Sequence, residues 1–247
     1  MTDHAPSSLA GRLVARRVRY YYALIGLIAV MFAAESVMHF TYYTWSRWIV
    51  TGTALVATGL AVGSGLRAAD LGLSRDTWAR GARWAGVIIV AVIVVIGVAL
   101  AIPPLRELFR NEAFQDLPWA LWSAFVLIPA LTVIPEELLF RGVVTGALLR
   151  RHSPRVAIAL QAALFGLWHI ESSLGLTTGN EGVGDVVGTG STGAVLGVLG
   201  AVAFTGGSGV VFGWLRVKTG SLLPCLALHW AANGVGAVAA ALAWQLA

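Results

Sequence analysis

The sequence predicts an all-α fold, a bundle of about seven membrane-spanning helices, and three observations carry that prediction. Hydrophobic residues fill 57% of the 247 positions and charged residues 12%, against roughly 25% charged in ordinary soluble domains. Apolar stretches recur along the whole chain, each near the ~20 residues a helix needs to cross ~30 Å of hydrocarbon. Between alternate stretches the basic residues gather in clusters. A mean hydropathy of +0.78 agrees with a chain whose solvent is the bilayer.

Seven segments have the length and composition of spans: Tyr22–Phe40, Trp48–Leu66, Trp84–Ile102, Trp119–Leu149, Val156–Ile170, Thr192–Leu215 and Leu222–Leu246. Helices are the expected form, because backbone groups in lipid must find partners within their own segment. Residues 1–21 then form a basic cytoplasmic segment and 22–247 a single transmembrane domain, in the cell membrane. With the N-terminus inside, 13 of the 17 Lys and Arg lie on the cytoplasmic side, among them Arg67, Arg150, Arg216 and Lys218. Only Arg47, Arg106 and Arg110 fall outside, and Arg141 lies within a span. That asymmetry follows the positive-inside rule. The first span resembles a signal peptide up to Ala33-Ala34, but it runs on through Glu35 to His39 and reads as a retained helix. Trp48, Trp84 and Trp119 at span starts read as interfacial anchors.

The other bulk properties exclude function classes. One cysteine, Cys225, permits no intrachain disulfide. The net charge of +5 and pI near 10.0 arise from the sided loops, and no basic–aromatic run suggests nucleic acid. Ser172 to Gly193 is rich in Gly, Ser and Thr, a connector or a flap over an entrance. Gly193, Gly197, Gly209 and Gly213 repeat at four-residue spacing, which suits close helix packing.

The informative residues are the polar ones at depth, since an ionisable group inside a membrane is costly and marks function by default. Span four carries Glu136 and Glu137 side by side, with Arg141 one turn beyond. Glu137 and Arg141 share a helical face and can pair. Glu136, about 100° around the helix, is left to face something else. Span five carries Phe165 and His169, and span seven carries His229 and Asn233 on one face. Counted from the basic helix ends, Glu136 lies about 20 Å deep, His169 about 21 Å, His229 about 11 Å and Asn233 about 17 Å. Three helices thus offer one polar layer.

These residue types suit peptide hydrolysis. A carboxylate removed from water takes up a proton more readily, which fits Glu136 as general base. His169 can hold the same water or pass the proton to the leaving amine. His229 and Asn233 can donate to the developing oxyanion. Glu136, His169 and His229 could equally hold Zn2+ with an open water position. A proton-coupled transporter would use such groups too, but no inverted repeat or pair of broken helices is visible.

The order Glu136-Glu137 with Arg141, Phe165 with His169, and His229 with Asn233 resembles the CPBP family, which contains the type II CAAX prenyl endopeptidases and is also called the Abi family. Thr219-Gly220-Ser221-Leu222 and Asp70-Leu71-Gly72-Leu73 look like that family as well. The resemblance covers roughly Pro118 to Ala240, the expected protease core. It implies an intramembrane endopeptidase acting on a membrane-associated protein or peptide, with Glu136 and His169 on the water and His229 and Asn233 as the oxyanion pair. Glu137, Arg141 and Phe165 are then supporting residues. The family is commonly labelled metalloprotease, although glutamate-type hydrolysis without a cofactor fits its motif. It also includes members linked to bacteriocin immunity, so a non-proteolytic membrane scaffold is the alternative.

Three side chains stand outside the motifs. Glu35 and His39 share a face near the outer end of span one and read as a pair reaching toward the headgroups. Cys225 precedes His229 by one turn, but no third group orients it as a nucleophile.

Overall fold

The structure, a computed structural model, describes residues 9–246 except Tyr42 and Asn180, with side chains from residue 18 onward except at 181 and 182. Part of the basic segment 1–21, including the side chains of Arg12, Arg16 and Arg17, therefore lies outside the described residues. Among the described residues there are helices and no strands. The main ones are α1 (Leu9–Phe40), α2 (Ile49–Gly63), α3 (Trp78–Ala101), α4 (Leu117–Leu149), α5 (Pro154–Ser172), α6 (Leu176–Gly179), α7 (Glu181–Val187), α8 (Ser191–Thr219) and α9 (Leu223–Gln245).

Each expected span falls on a helix, but among the described residues only five helices are long and apolar enough to cross a membrane: those containing Val18–Phe40, Arg75–Ala101, Leu117–Leu149, Ser191–Thr219 and Leu223–Gln245. The other two depart for different reasons. α2 has 15 residues, a rise of about 22 Å, short of the hydrocarbon thickness. α5 has 19 residues, but Arg155, Gln161, His169 and Glu171 dilute its apolar character. The stretch Ser172–Gly193 is not an open connector, because it holds α6 and α7.

α4 is the irregular element. Three π segments interrupt it, at Ser123–Leu127, Pro129–Val133 and Leu138–Val144. Proline explains two of them, since a ring nitrogen cannot donate to a carbonyl one turn back. Pro129 frees the carbonyl of Ala124, five residues earlier, and Trp230 Nε1 donates to it at 2.8 Å. Pro135 likewise frees the carbonyl of Ala130, to which Thr51 Oγ1 donates at 2.9 Å. In the third segment Thr145 Oγ1 donates to Phe140 O at 2.7 Å, and Arg216 Nε to Arg141 O at 3.2 Å. Each widened turn is thus completed by a side chain, from a neighbouring helix in three of these four bonds.

The same helix packs at the centre of the molecule. Phe140 lies edge-on to Phe165 and Trp168, and Phe165 to Phe212, with ring centroids 5.1, 5.4 and 6.0 Å apart. α5 and α8 meet where glycine removes bulk: a Cβ at Gly166 would stand 2.8 Å from Val202 O, and one at Gly209 2.9 Å from Ala162 Cα. Gly213 faces Gln161 and Ile158 of α5, so the second half of the glycine repeat is a helix–helix seam. Gly193 and Gly197 instead pack against the segment around α6 and Gly188.

At the basic end, a turn at Ala68–Leu71 is locked down. Arg216, 3% exposed, donates through Nη2 to the carbonyls of Ala69 and Asp70 at 3.2 and 2.7 Å. Gly72, at φ +75°, lies against the same guanidinium, and a Cβ there would stand 2.5 Å from Arg216 Nε. Arg216, placed with the basic cluster, thus has its guanidinium committed to backbone carbonyls inside the protein. Trp84 departs from expectation, since it packs edge-on against Trp214 at 5.8 Å while Trp78 stands exposed at the helix start.

Candidate active site

Glu136 and Glu137 sit on the short regular turn Ile134–Glu137 between two π segments of α4, both buried. Adjacent carboxylates repel, and the structure separates their partners. Glu137 Oε1 accepts from Arg141 Nη1 at 3.0 Å and from His229 Nδ1 at 2.9 Å. The pairing with Arg141 follows the four-residue spacing; the bond to His229 does not follow from any local pattern. Arg141 is fully buried with its guanidinium carbon 3.9 Å from the Phe165 ring centroid and 4.4 Å from that of Phe212. Its Nε and Nη2 have no hydrogen-bond acceptor, so the π faces of these rings supply the remaining compensation for the charge.

With Nδ1 committed to Glu137, the His229 ring is fixed in orientation and Nε2 is turned to the other carboxylate. Nε2 stands 3.9 Å from Glu136 Oε2, beyond a direct hydrogen bond. Glu136 is 8% exposed, and that Oε2 is buried without a hydrogen-bond partner. Glu137 is therefore the orienting group of a carboxylate–histidine pair, and Glu136 is the free carboxylate beside it.

His169 lies in the same layer but is not bonded to Glu136. Its Nδ1 is 2.8 Å from Phe165 O, and its ring is edge-on to Phe165 at 4.6 Å. Phe165 is also edge-on to His229, with centroids 6.1 Å apart, so one ring contacts both histidines. Asn233 sits on the π segment Ala231–Val235 of α9, exposed, and lines a cavity on the side away from Arg216. The structure thus bonds Glu137 to both Arg141 and His229 and sets Glu136 beside His229 without a bond, while His169 and Asn233 flank them.

As arranged, Glu136, His169 and His229 do not form a ligand set: among the described residues no three His, Cys, Asp or Glu side chains converge to hold a metal ion. Cys225 is buried with Sγ 3.2 Å from Phe212 O, a packing residue.

Three residues near the site escape a motif-based reading. Phe212 gives Arg141 its second π face, with no signal beyond being an aromatic in a glycine-rich span. Glu35 was expected near the headgroups but is 3% exposed and lies within electrostatic reach of Glu136 and Glu171. His39, by contrast, is half-buried with its ring against Phe40. Glu171 accepts from Ser36 Oγ at 2.7 Å, which ties α1 to α5 beside the site. The signal for Glu35 was present, because a carboxylate within an apolar helix needs a reason.

Residues 118–235 match the family model described as type II CAAX prenyl endopeptidase Rce1-like. Every residue of the polar layer on α4, α5 and α9 falls within that range. Neither the curated proteins nor the solved structures give a match.

Proposed function

Over residues 118–235 the chain belongs to the type II CAAX prenyl endopeptidase Rce1-like family, and from that premise we propose that it is an intramembrane endopeptidase with Glu136 as general base. The observation that carries this reading is the fixed pair. His229 is held through Nδ1 by Glu137, and its Nε2 faces the unpartnered Oε2 of Glu136 at 3.9 Å. A gap of that size is the kind a bridging water fills.

In the proposed reaction Glu136 removes a proton from water as the water oxygen bonds to the scissile carbonyl carbon. Negative charge gathers on the carbonyl oxygen, where His229, acting as the imidazolium with Nδ1–H on Glu137, donates through Nε2–H and the Asn233 amide donates beside it. The C–N bond then breaks, and the proton held by Glu136 passes to the leaving amine, directly or through His169. Arg141 and Phe165 keep Glu137, and so His229, in register. The substrate is a membrane-associated protein or peptide. In this reading the chain crosses the membrane seven times with its N-terminus in the cytoplasm, α2 and α5 being the two crossings that rely on their neighbours.

The test is cleavage of a quenched fluorescent membrane-peptide panel by reconstituted protein, beside a Glu136→Gln variant and with a strong zinc chelator. A folded Glu136→Gln variant should lose about 10²–10⁴-fold in rate, the usual share of a general base. Cleavage that survives in that variant overturns the assignment. Cleavage that falls with chelator and returns with Zn2+ would replace the metal-independent mechanism with a zinc one.

A further inference from the structure

Two carboxylates near the site have no part in the reaction above. Glu35 lies on the inward face of α1, one turn beyond the buried Met31, and is 3% exposed. Phe32 on the same helix lies edge-on to Trp168 of α5, with centroids 5.8 Å apart, which fixes that face against the bundle. The next residue, Ser36, donates through Oγ to Glu171 Oε1 at 2.7 Å. Glu171 stands on the last turn of α5, at the end away from Arg155, and its Oε2 is buried without a hydrogen-bond partner. Glu35 is the group that reaches both, since Glu171 and the unpartnered Glu136 each lie within electrostatic range of it.

We propose that Glu35 is the proton-relay partner of Glu136, passing protons between that carboxylate and Glu171 at the end of α5. This inference rests on the proteolytic reading of Glu136. A carboxylate inside an apolar bundle needs a counter-charge or a function. Glu137 has its counter-charge in Arg141, whereas among the described residues no Arg, Lys or His pairs with Glu35 or Glu171. The positive charge that such groups can take up and return is a proton. Of the elements around Glu35, α4 brings Glu136, α5 brings Glu171 and His169, and α1 itself brings His39 one turn on; α2 has no titratable side chain. The reaction supplies the proton to be moved. Hydrolysis first yields a carboxylic acid and an amine, and ends as carboxylate and ammonium. The first proton of the attacking water reaches the amine from Glu136. When the O–H bond of the product acid breaks, its proton goes to the Glu136 carboxylate, which must lose it before it can act on another water. Glu35 takes that proton on one oxygen and gives one up from the other to Glu171, which releases it to water. The amine gains its last proton from water, so charge balances.

The test uses full-length protein in vesicles and two readouts. The infrared carbonyl-stretch band of protonated carboxyls is titrated in wild type, Glu35→Gln and Glu136→Gln. The component that Glu35→Gln removes should shift its midpoint by about one pH unit or more in Glu136→Gln, a tenfold change in proton affinity. Cleavage of a fluorescent reporter peptide is then followed through the first turnover and at steady state. Because the relay acts after the C–N bond breaks, Glu35→Gln should lower kcat and KM together by about tenfold or more. The first turnover, kcat/KM and Tm should stay as in wild type. Glu35→Asp keeps a carboxyl and should recover kcat. Glu112→Gln, at an exposed carboxylate between α3 and α4, should change none of these.

A Glu35 component whose midpoint ignores Glu136 overturns the relay. So does an unchanged kcat in Glu35→Gln, or a first turnover slowed as much as the steady state. Coupled midpoints in a protein that cleaves nothing keep Glu35 as the proton partner of Glu136 and remove the proteolytic reading.

Discussion

Helices α3 and α4 follow one another in the chain, and both are long and apolar enough to cross a membrane, yet they complete their backbones in opposite ways. α3 is regular over its 24 residues, only Gly81 is buried, and Val87, Val90, Val94, Val95 and Val98 face outward. It needs nothing from its neighbours to exist in lipid. α4 has prolines and three π segments, and its freed carbonyls are met by Thr51, Trp230 and Arg216 from α2, α9 and α8. A helix that cannot satisfy itself must be built into the middle of a bundle. That requirement draws other helices around the turn that carries Glu136 and Glu137, and irregular turns are frequent at functional sites.

The contrast is broken most directly at Glu137. Replacing it with Gln removes the carboxylate that serves both Arg141 and His229, leaving a buried guanidinium without its counter-charge. The expected cost is about 3–5 kcal/mol, with loss of cleavage even under conditions that keep the variant folded. Val95→Ala on the outward face of α3 should stay within about 0.5 kcal/mol. Unfolding in a denaturing-detergent titration compares the two, and equal losses would mean that α3 carries packing not seen in its exposed face.

Glycine gives a second comparison. A Cβ at Gly146 of α4 would stand 2.5 Å from Asp70 O, a backbone atom that cannot swing aside. Gly146→Ala should therefore cost about 1–3 kcal/mol. Gly86 of α3 has nothing within 4 Å, and Gly86→Ala should instead be neutral or gain up to about 1 kcal/mol through helix propensity. Thermal midpoints in one detergent check the sign as well as the size.

The same logic reaches one hydrogen bond. Thr51→Val keeps the shape of the α2 residue but removes the donor to Ala130 O, the carbonyl that Pro135 leaves free. The expected cost is about 1–2 kcal/mol, concentrated on the turn that carries Glu136. Hydrogen exchange should show faster opening around residues 130–137 while α3 is unchanged.

Much of this was legible in the sequence, for identifiable reasons. Hydrophobic length placed a helix at every expected segment, and four-residue spacing paired Glu137 with Arg141. Length could not show that α2 has only 15 residues, because helix ends are set by turns that a hydropathy window averages over. Depth put Glu136, His169, His229 and Asn233 in one layer, but depth is one coordinate and the rotation of each helix is another. Rotation brings His229 onto Glu137, leaves His169 on Phe165, and turns Glu35 inward to Glu136. It depends on contacts between helices far apart in the chain, such as Glu137 and His229 at a separation of 92 residues, and a single sequence holds no trace of them. The prolines of α4 were visible, whereas the donors that complete their turns belong to other helices.

The smallest expected effect lies at the basic end. Burial pushes the Asp70 carboxyl up, but the Arg67 backbone N–H and the Arg150 guanidinium outweigh it, and the group sits below its ordinary value of 3.8. Oδ2 accepts from Arg67 N at 2.7 Å and Arg150 Nη2 at 2.8 Å. A carboxyl held lower in the folded protein than in the unfolded chain contributes stability that is complete above the ordinary value. The contribution falls away as pH drops through the folded one. Arg150 is over a third exposed, so solvent screening limits the gain to about 1 kcal/mol or less. Asp70→Asn keeps the backbone carbonyl that Arg216 needs and removes only the charge. Wild type and variant should therefore differ at pH 7 and converge as the pH falls below 3.8, read as thermal midpoints in detergent. If the variant loses stability toward acid as steeply as wild type, the acid-sensitive groups lie elsewhere, and the buried carboxylates around α4 become the place to look. If the two curves converge, the turn at Ala68–Leu71 is held by charge as well as by the guanidinium beneath it, and α4 is anchored at its basic end by an ion pair where α3 has only the Arg80 Nε–H bond to Thr219 O at 2.8 Å.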